Sequence, residues 1–313
     1  MSDTKCITIL SDKSSGSTIL QCELGRQQGI FRLFDNRVNY ETKFWLYAAT
    51  ILGLPQARMK YSHEFPATKD HCMRQINTLL ASLGIDLRIE EDTNRGTIFA
   101  AWHKIVNSQR AILIEKSPHH LHNWQALLLM AEYSRLYPHS STKYIGLIRN
   151  PLDTLYSMWN RWYARPSLRQ YEWLRAYENL DNFRQIARDD MIIVRYEDLM
   201  TNVRCYMRIL DFVGVGPEIQ VEPEFHTASI GKWKEDATFG FSLDDRVTEF
   251  SQRFYKRERI TNPNTSSTWK TRERIYSPMF RLVVIRVKFK QLAARILHSL
   301  KQITYRIWPN RRQ

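Results

Sequence analysis

The sequence predicts an α/β protein, a central parallel sheet flanked by helices, and three observations predict it. Short apolar runs recur along the chain: CITIL at 6–10, AILIE at 111–115, YIGLI at 144–148 and MIIV at 191–194. Each run ends in a polar turn, and apolar residues at helical spacing then follow. Strand, turn and helix in repetition imply parallel strands whose crossover helices cover both faces of one sheet.

The elements follow in order. The first run passes through the turn DKSSGS into a helical pattern over 17–28. Helical spacing returns at 42–51, where LGLPQ stops it with Gly and Pro, and again at 71–83 and 98–108. The later strands lead into helical patterns at 121–137, 152–163 and 199–213. In such sheets ligands gather at the carboxyl ends of the strands. The polar residues just past each run, 13–18, Lys116, Arg149 and Tyr196, are therefore expected to converge on one crevice. A loose stretch, TNPNTSS at 261–267, marks the expected boundary between a domain over 1–262 and a C-terminal tail over 263–313.

Composition narrows the function classes. The 313 residues carry a net charge of +14. Residues 270–313 hold twelve Lys/Arg against the single acid Glu273, so 12 − 1 = +11 of it belongs to the tail. The main domain is near neutral, which argues against a nucleic-acid partner. Four cysteines, Cys6, Cys22, Cys72 and Cys205, lack metal-ligand spacing and read as reduced thiols. A polar start and the lack of a long apolar span predict neither signal peptide nor membrane span, hence a cytoplasmic protein.

Two stretches carry phosphate-binding chemistry. In the first, Lys13, Ser14, Ser15, Gly16, Ser17 and Thr18 join a strand to a helix. Backbone N–H groups, hydroxyls and one cation at a helix N-terminus suit an anion. The loop is P-loop-like, but the GK[ST] that holds magnesium in nucleoside-triphosphate enzymes is missing, so no metal is expected and a P-loop kinase becomes the remote alternative. In the second, YIGLIRNPLDTLYSMWNRW at 144–162, Arg149 ends a strand and Ser157 lies eight residues on. An Arg at a strand edge and a Ser two turns into the next helix can grip one phosphate from two sides. Asn150 and Pro151 also suit a plain helix start.

With both stretches in place, the chain from about residue 7 to 233 resembles the PAPS-dependent sulfotransferases, closest to the carbohydrate-type and bacterial members. The resemblance implies that the first loop grips the 5′-phosphosulfate of PAPS (3′-phosphoadenosine 5′-phosphosulfate). It also implies that Arg149 and Ser157 grip the 3′-phosphate, and that PAP (adenosine 3′,5′-bisphosphate) is the product. EKSP at 115–118 resembles the family's EKTP turn, VRYEDL at 194–199 the segment whose Tyr, here Tyr196, lies against the adenine, and IGKWK at 230–234 the late nucleotide-closing loop, which brings in Lys232 and Trp233. Two departures stand out. The family's loop cation sits two residues before the glycine, where this chain has Ser14 and places Lys13 one step earlier. The family's late Arg-Lys-Gly is replaced by His226, Thr227 and Ala228, leaving Lys232 or Lys234 to supply a cation.

The reaction implied is in-line sulfuryl transfer to an acceptor hydroxyl, assisted by Lys13 and Lys116. VNYETKFW at 38–45 resembles the segment of carbohydrate sulfotransferases whose Glu is the base, which points to Glu41 with Lys43 beside it. The rival base is His119 or His120 in KSPHHLHN, also readable as a surface or capping pair. A carbohydrate or glycolipid acceptor is favoured over an aryl or small alcohol. Trp159, Trp162, Tyr163 and Trp173 among arginines suit sugar rings or simply a packed helical pair. From Leu282 onward, Ile285, Phe289, Leu292, Ile296, Leu300 and Ile303 recur at helical steps with basic residues opposite. That pattern fits peripheral contact with an anionic membrane, docking on a protein, or packing on the core.

Overall fold

The apolar runs are strands buried on both faces, and their alternation shows why. The structure, a computed structural model, describes residues 4–33, 41–56, 66–216, 223–256 and 260–276, with 278–283, 285, 286 and 289 beyond them. Its strands β1 (Cys6–Ser11), β2 (Ile30–Arg32), β3 (Ile112–Lys116), β4 (Thr142–Ile148) and β5 (Met191–Arg195) lie in the order β2-β3-β1-β4-β5. Every pair is parallel. Cys6, Leu10, Leu113, Tyr144 and Ile148 enter the larger apolar layer. Ile7, Ile9, Ile114, Ile145 and Leu147 enter the smaller one on the other face. Period-two alternation thus serves two cores at once.

The helices are α1 (Ser17–Leu24), α2 (Phe44–Ile51), α3 (Lys69–Ser82), α4 (Arg95–Asn107), α5 (Trp124–Leu136), α6 (Pro151–Trp162), α7 (Pro166–Ala187), α8 (Tyr196–Thr201), α9 (Val203–Phe212), α10 (Lys232–Glu235), α11 (Asp245–Ser251) and α12 (Trp269–Tyr276). The larger layer packs side chains of α2, α4, α5 and α7, such as Trp45, Trp102, Tyr133 and Trp173. The smaller packs α1, α8 and α9 through Leu20, Leu24, Leu199, Tyr206 and Ile209. Helix α7 comes close to β4 because residue 146 is Gly; a Cβ there would lie 3.0 Å from Leu180 Cδ1 and Met191 Cε.

Local chemistry explains where the elements depart from the sequence patterns. The pattern over 199–213 is two helices, because Asn202 breaks out and its side chain accepts from Arg204 N at 3.0 Å to cap α9. The pattern over 121–137 begins as a 3-10 turn and becomes α-helical only after Asn123, which accepts from Ala126 N at 3.2 Å. Strand β2 has three residues, too few for any period to show.

Residues 262–276 pack on the body across the expected boundary. Asn262 Nδ2 donates to Phe239 O at 2.6 Å and Phe241 O at 2.9 Å, and Trp269 is buried. Most of the amphipathic pattern, from residue 290 onward, lies outside the described residues. Among those described, no helix is long and apolar enough to cross a membrane.

Candidate active site

All the loops that matter leave the same edge of the sheet, because a parallel sheet turns every strand's carboxyl end the same way. From β1 the chain enters the loop with Ser14 at φ 61° and Gly16 at φ 88°. A Cβ on Gly16 would lie 2.3 Å from the Tyr196 ring, so glycine there serves both the left-handed backbone and the close aromatic approach. From β4 the chain reaches Arg149, which donates from Nη1 to Ser14 O at 2.8 Å and from Nη2 to Ser229 O at 2.6 Å. Its guanidinium lies 4.6 Å from the Tyr196 ring centroid, and the Tyr196 hydroxyl bonds the Ser229 hydroxyl at 2.6 Å. From β3 comes Lys116, whose Nζ donates to Thr18 Oγ1 at 3.0 Å. The loop and the first turn of α1 thus touch Arg149 on one side and Lys116 on the other.

Beyond Lys116 lies a cluster of charge. Glu41 returns to the sheet edge because Thr42 N donates to Lys116 O at 2.9 Å and Thr42 Oγ1 to Leu33 O at 3.0 Å. Around its carboxylate stand Lys43 Nζ at 3.7 Å, Lys116 Nζ at 3.9 Å and His119 Nδ1 at 3.6 Å. All four side chains are buried, and Glu41 Oε2 accepts no hydrogen bond. Burial pushes the Lys116 ammonium below its ordinary pKa, while the Glu41 carboxylate opposes that shift. The histidines read as a surface pair are interior: His119 backs Glu41, and His120 lies 3.9 Å from Glu115 with both fully buried. Burial raises the Glu115 carboxyl to about 8 and lowers His120 to about 3. These two face each other as a neutral pair.

The remaining candidates divide. Ser157 is half-buried on α6, Lys13 is half-buried on the loop, and Lys232 is exposed at the start of α10. Trp233 is buried in the larger apolar layer. Trp159 and Trp173 are also core residues, and Trp173 Nε1 donates to Arg149 O at 3.2 Å. Among the described residues no three His, Cys, Asp or Glu side chains are grouped to hold a metal.

Sequence reasoning missed the supports behind the loop. Asp12 Oδ1 accepts from Lys13 N at 2.7 Å, from His122 Nε2 at 2.8 Å and from Arg169 Nη2 in a very short contact. Although burial opposes it, the Arg169 guanidinium with His122 holds the Asp12 carboxyl well below the usual carboxylate range. Tyr177 adds a bond from its hydroxyl to the Ser15 hydroxyl at 2.9 Å and donates to Leu147 O at 3.1 Å. Asp153 Oδ1 accepts from Gly231 N at 2.8 Å and lies 3.9 Å from Arg149, so the first turn of α6 anchors the late loop. Only Asp153 left a signal, as an acid four residues past Arg149 on a helix start.

The model of the sulfotransferase family matches residues 7–217, the span that holds the loop, Lys116, Arg149 and Tyr196. The chain belongs to the sulfotransferase family. It is an enzyme of that family, and the kinase alternative falls. The fold agrees: the sulfotransferase domain from the curacin biosynthetic pathway superposes with a TM-score of 0.54 at 17% identity, over 80% of this chain and 96% of that one. Two further sulfotransferase structures match with a TM-score of 0.43 each. The domain from the Synechococcus PCC 7002 olefin synthase is 20% identical over 85% of this chain and 86% of its own. STF9 from Mycobacterium avium is 11% identical over 84% of this chain and 79% of its own. A comparison with curated proteins gives no match.

Proposed function

We propose that this sulfotransferase takes PAPS as donor and transfers the sulfuryl group to a hydroxyl of a carbohydrate or glycolipid, releasing PAP. The observation that carries the reading is the loop and first turn of α1 bonded to Arg149 through Ser14 and to Lys116 through Thr18. Ser14 Oγ and Arg149 Nε are buried without hydrogen-bond partners, which fits residues that complete their bonding on an anionic ligand. The backbone N–H groups of the loop, its hydroxyls, Lys13 and the N-terminus of α1 would hold the 5′ side. Arg149 and Ser157 would hold the 3′-phosphate, with Tyr196 beside the base and Lys232 and Trp233 at the start of α10. The donor supplies an electrophilic sulfur and a phosphate leaving group.

Glu41 takes the acceptor's proton as the new S–O bond forms and the S–O bond to the phosphate breaks. Its Oε2 is buried and accepts no hydrogen bond, which supports a role in taking a proton. Lys116 stands between Glu41 and the loop, where a cation offsets charge growing on the peripheral and leaving oxygens. His119 acts as a partner to Glu41, not as the base in its place. A sulfuryl group carries less charge than a phosphoryl group, so these cations can serve without a metal. The four thiols, none in a disulfide, fit a reducing cytoplasm.

Calorimetric titration with PAP and with ATP, each with and without magnesium, tests the donor. Metal-independent binding of PAP with weaker ATP binding is expected. A magnesium-dependent preference for ATP would overturn the reading. Transfer of labelled sulfate from PAPS to a panel of sugars, glycolipids, phenols and alcohols tests the acceptor class.

A further inference from the structure

We infer that the surface running from α12 into the helical backbone after it docks the enzyme on an anionic lipid bilayer. Among the described residues, exposed large apolar side chains concentrate here. Ile275 is 65% exposed, Leu282 64%, Ile285 49% and Phe289 67%, with Tyr276 and Met279 also uncovered. On a helix Leu282, Ile285 and Phe289 share one face. The sequence continues that spacing through Leu292, Ile296, Leu300 and Ile303.

Charge selects the occupant. Lys270, Arg274, Arg281 and Arg286 are exposed around the ridge, whereas the segment's lone acid, Glu273, is turned inward and buried. Glu273 accepts from Ser167 N at 2.8 Å, and Arg165 lies 3.8 Å from it, so its charge is spent inside the protein. A second copy of this surface would bring +11 against +11, which opposes pairing of the two ridges. A nucleic acid would satisfy the bases but leave Leu282, Ile285 and Phe289 in water. An acidic lipid surface takes both, with the apolar ridge in the headgroup–acyl boundary and the Lys and Arg at the phosphates.

The root of this surface is fixed to the catalytic body. Trp269 packs 5.1 Å, centroid to centroid, from both Trp159 and Phe239, and Tyr276 stacks on Tyr163 at 6.2 Å and 12°. Trp159 belongs to α6, the helix that opens just after Arg149. Docking through the ridge therefore sets the orientation of the sulfotransferase domain against the bilayer. This inference does not depend on the identity of donor or acceptor.

Sedimentation of the full chain with phosphatidylcholine vesicles, and with vesicles in which phosphatidylserine replaces part of it, tests the inference. Binding to the mixed vesicles only, weakened by salt, is expected. Leu282→Asp with Phe289→Asp should reduce that binding by roughly tenfold or more. Arg281→Gln with Arg286→Gln should reduce it less and flatten the salt dependence. Both variants should retain the thermal midpoint and PAP affinity of the parent chain, which separates lost docking from lost folding. Equal binding to both vesicle types, no binding, or binding indifferent to Leu282→Asp/Phe289→Asp would overturn the inference. So would light scattering that shows a dimer dissolved by those two substitutions, since the ridge would then join two copies.

Discussion

Two buried charge clusters flank the loop of residues 13–18, and they are built in opposite ways. Around Asp12 the groups are bonded: His122 at 2.8 Å, the loop's own Lys13 N–H at 2.7 Å, and Arg169 closer still. Around Glu41 the same kinds of groups stand off, at 3.6, 3.7 and 3.9 Å, with Oε2 unbonded. A carboxylate whose bonds are filled by its own protein holds shape. One that is surrounded by charge but left open can exchange a proton with something that arrives. The comparison separates the support of the loop from the chemistry beside it.

The comparison breaks first if the open cluster proves structural. Glu41→Gln is expected to lower kcat by roughly 10²–10⁴-fold while PAP affinity stays within about twofold of the parent. Steady-state kinetics beside calorimetry reads both; an unchanged kcat removes Glu41 as base. Asp12→Ala should show the reverse emphasis, a loss of up to about 3–5 kcal/mol of stability, because Arg169 and His122 lose their buried carboxylate and Arg169 keeps only Glu172, at 2.9 Å, as a charged partner. Urea unfolding measures it. Asp12→Asn keeps an oxygen acceptor and should cost less, so equal losses in the two variants would contradict the bonded-cluster account.

Gly16→Ala sharpens the boundary between the two clusters. A methyl there meets the Tyr196 ring on a backbone at φ 88°. The expected cost is about 1–3 kcal/mol, with a fall in PAP affinity and Glu41 chemistry otherwise intact. A variant with parental stability and affinity would show that the ring does not constrain the loop.

A pH-dependent effect concerns Glu115 and His120, the neutral pair beneath Lys116. Burial raises the folded Glu115 pKa from 4.5 to about 8, so the folded state holds a proton that the unfolded chain releases. This part of the stability is present below pH 4.5 and is lost as pH rises to about 8. His120 acts with the other sign: its folded value is lowered from 6.5 to about 3, so stability falls as pH drops through that window. Unfolding free energy against pH in Glu115→Gln should lose the fall between pH 4.5 and about 8. An unchanged slope would mean that another group titrates there.

How much of this was legible in the sequence follows from the range of each contact. The strands and the residues that end them, Lys116, Arg149 and Tyr196, were readable because a parallel sheet writes its crevice at the end of every apolar run. Glu41 came from a local segment that resembles a known one. The Asp12 support was not readable, since His122 and Arg169 lie 110 and 157 residues away and nothing local marks them as its partners. Ser229 was likewise hidden, because it works through its backbone oxygen toward Arg149. The two interior histidines looked like surface residues because a polar string such as KSPHHLHN does not reveal that β1 and α7 close over it.

Helix α7 gives one more consequence. It rests on Gly146 and from there sends Arg169 to Asp12, Trp173 to the Arg149 carbonyl, and Tyr177 to Ser15 and the Leu147 carbonyl. A single rod thus serves as the common datum for the loop of residues 13–18 and for the strand end that bears the guanidinium. A methyl at position 146 would press on Leu180 and Met191 by a few tenths of an ångström, and if those side chains did not yield, α7 would have to shift and carry its bonds to Asp12, Ser15 and the strand end with it.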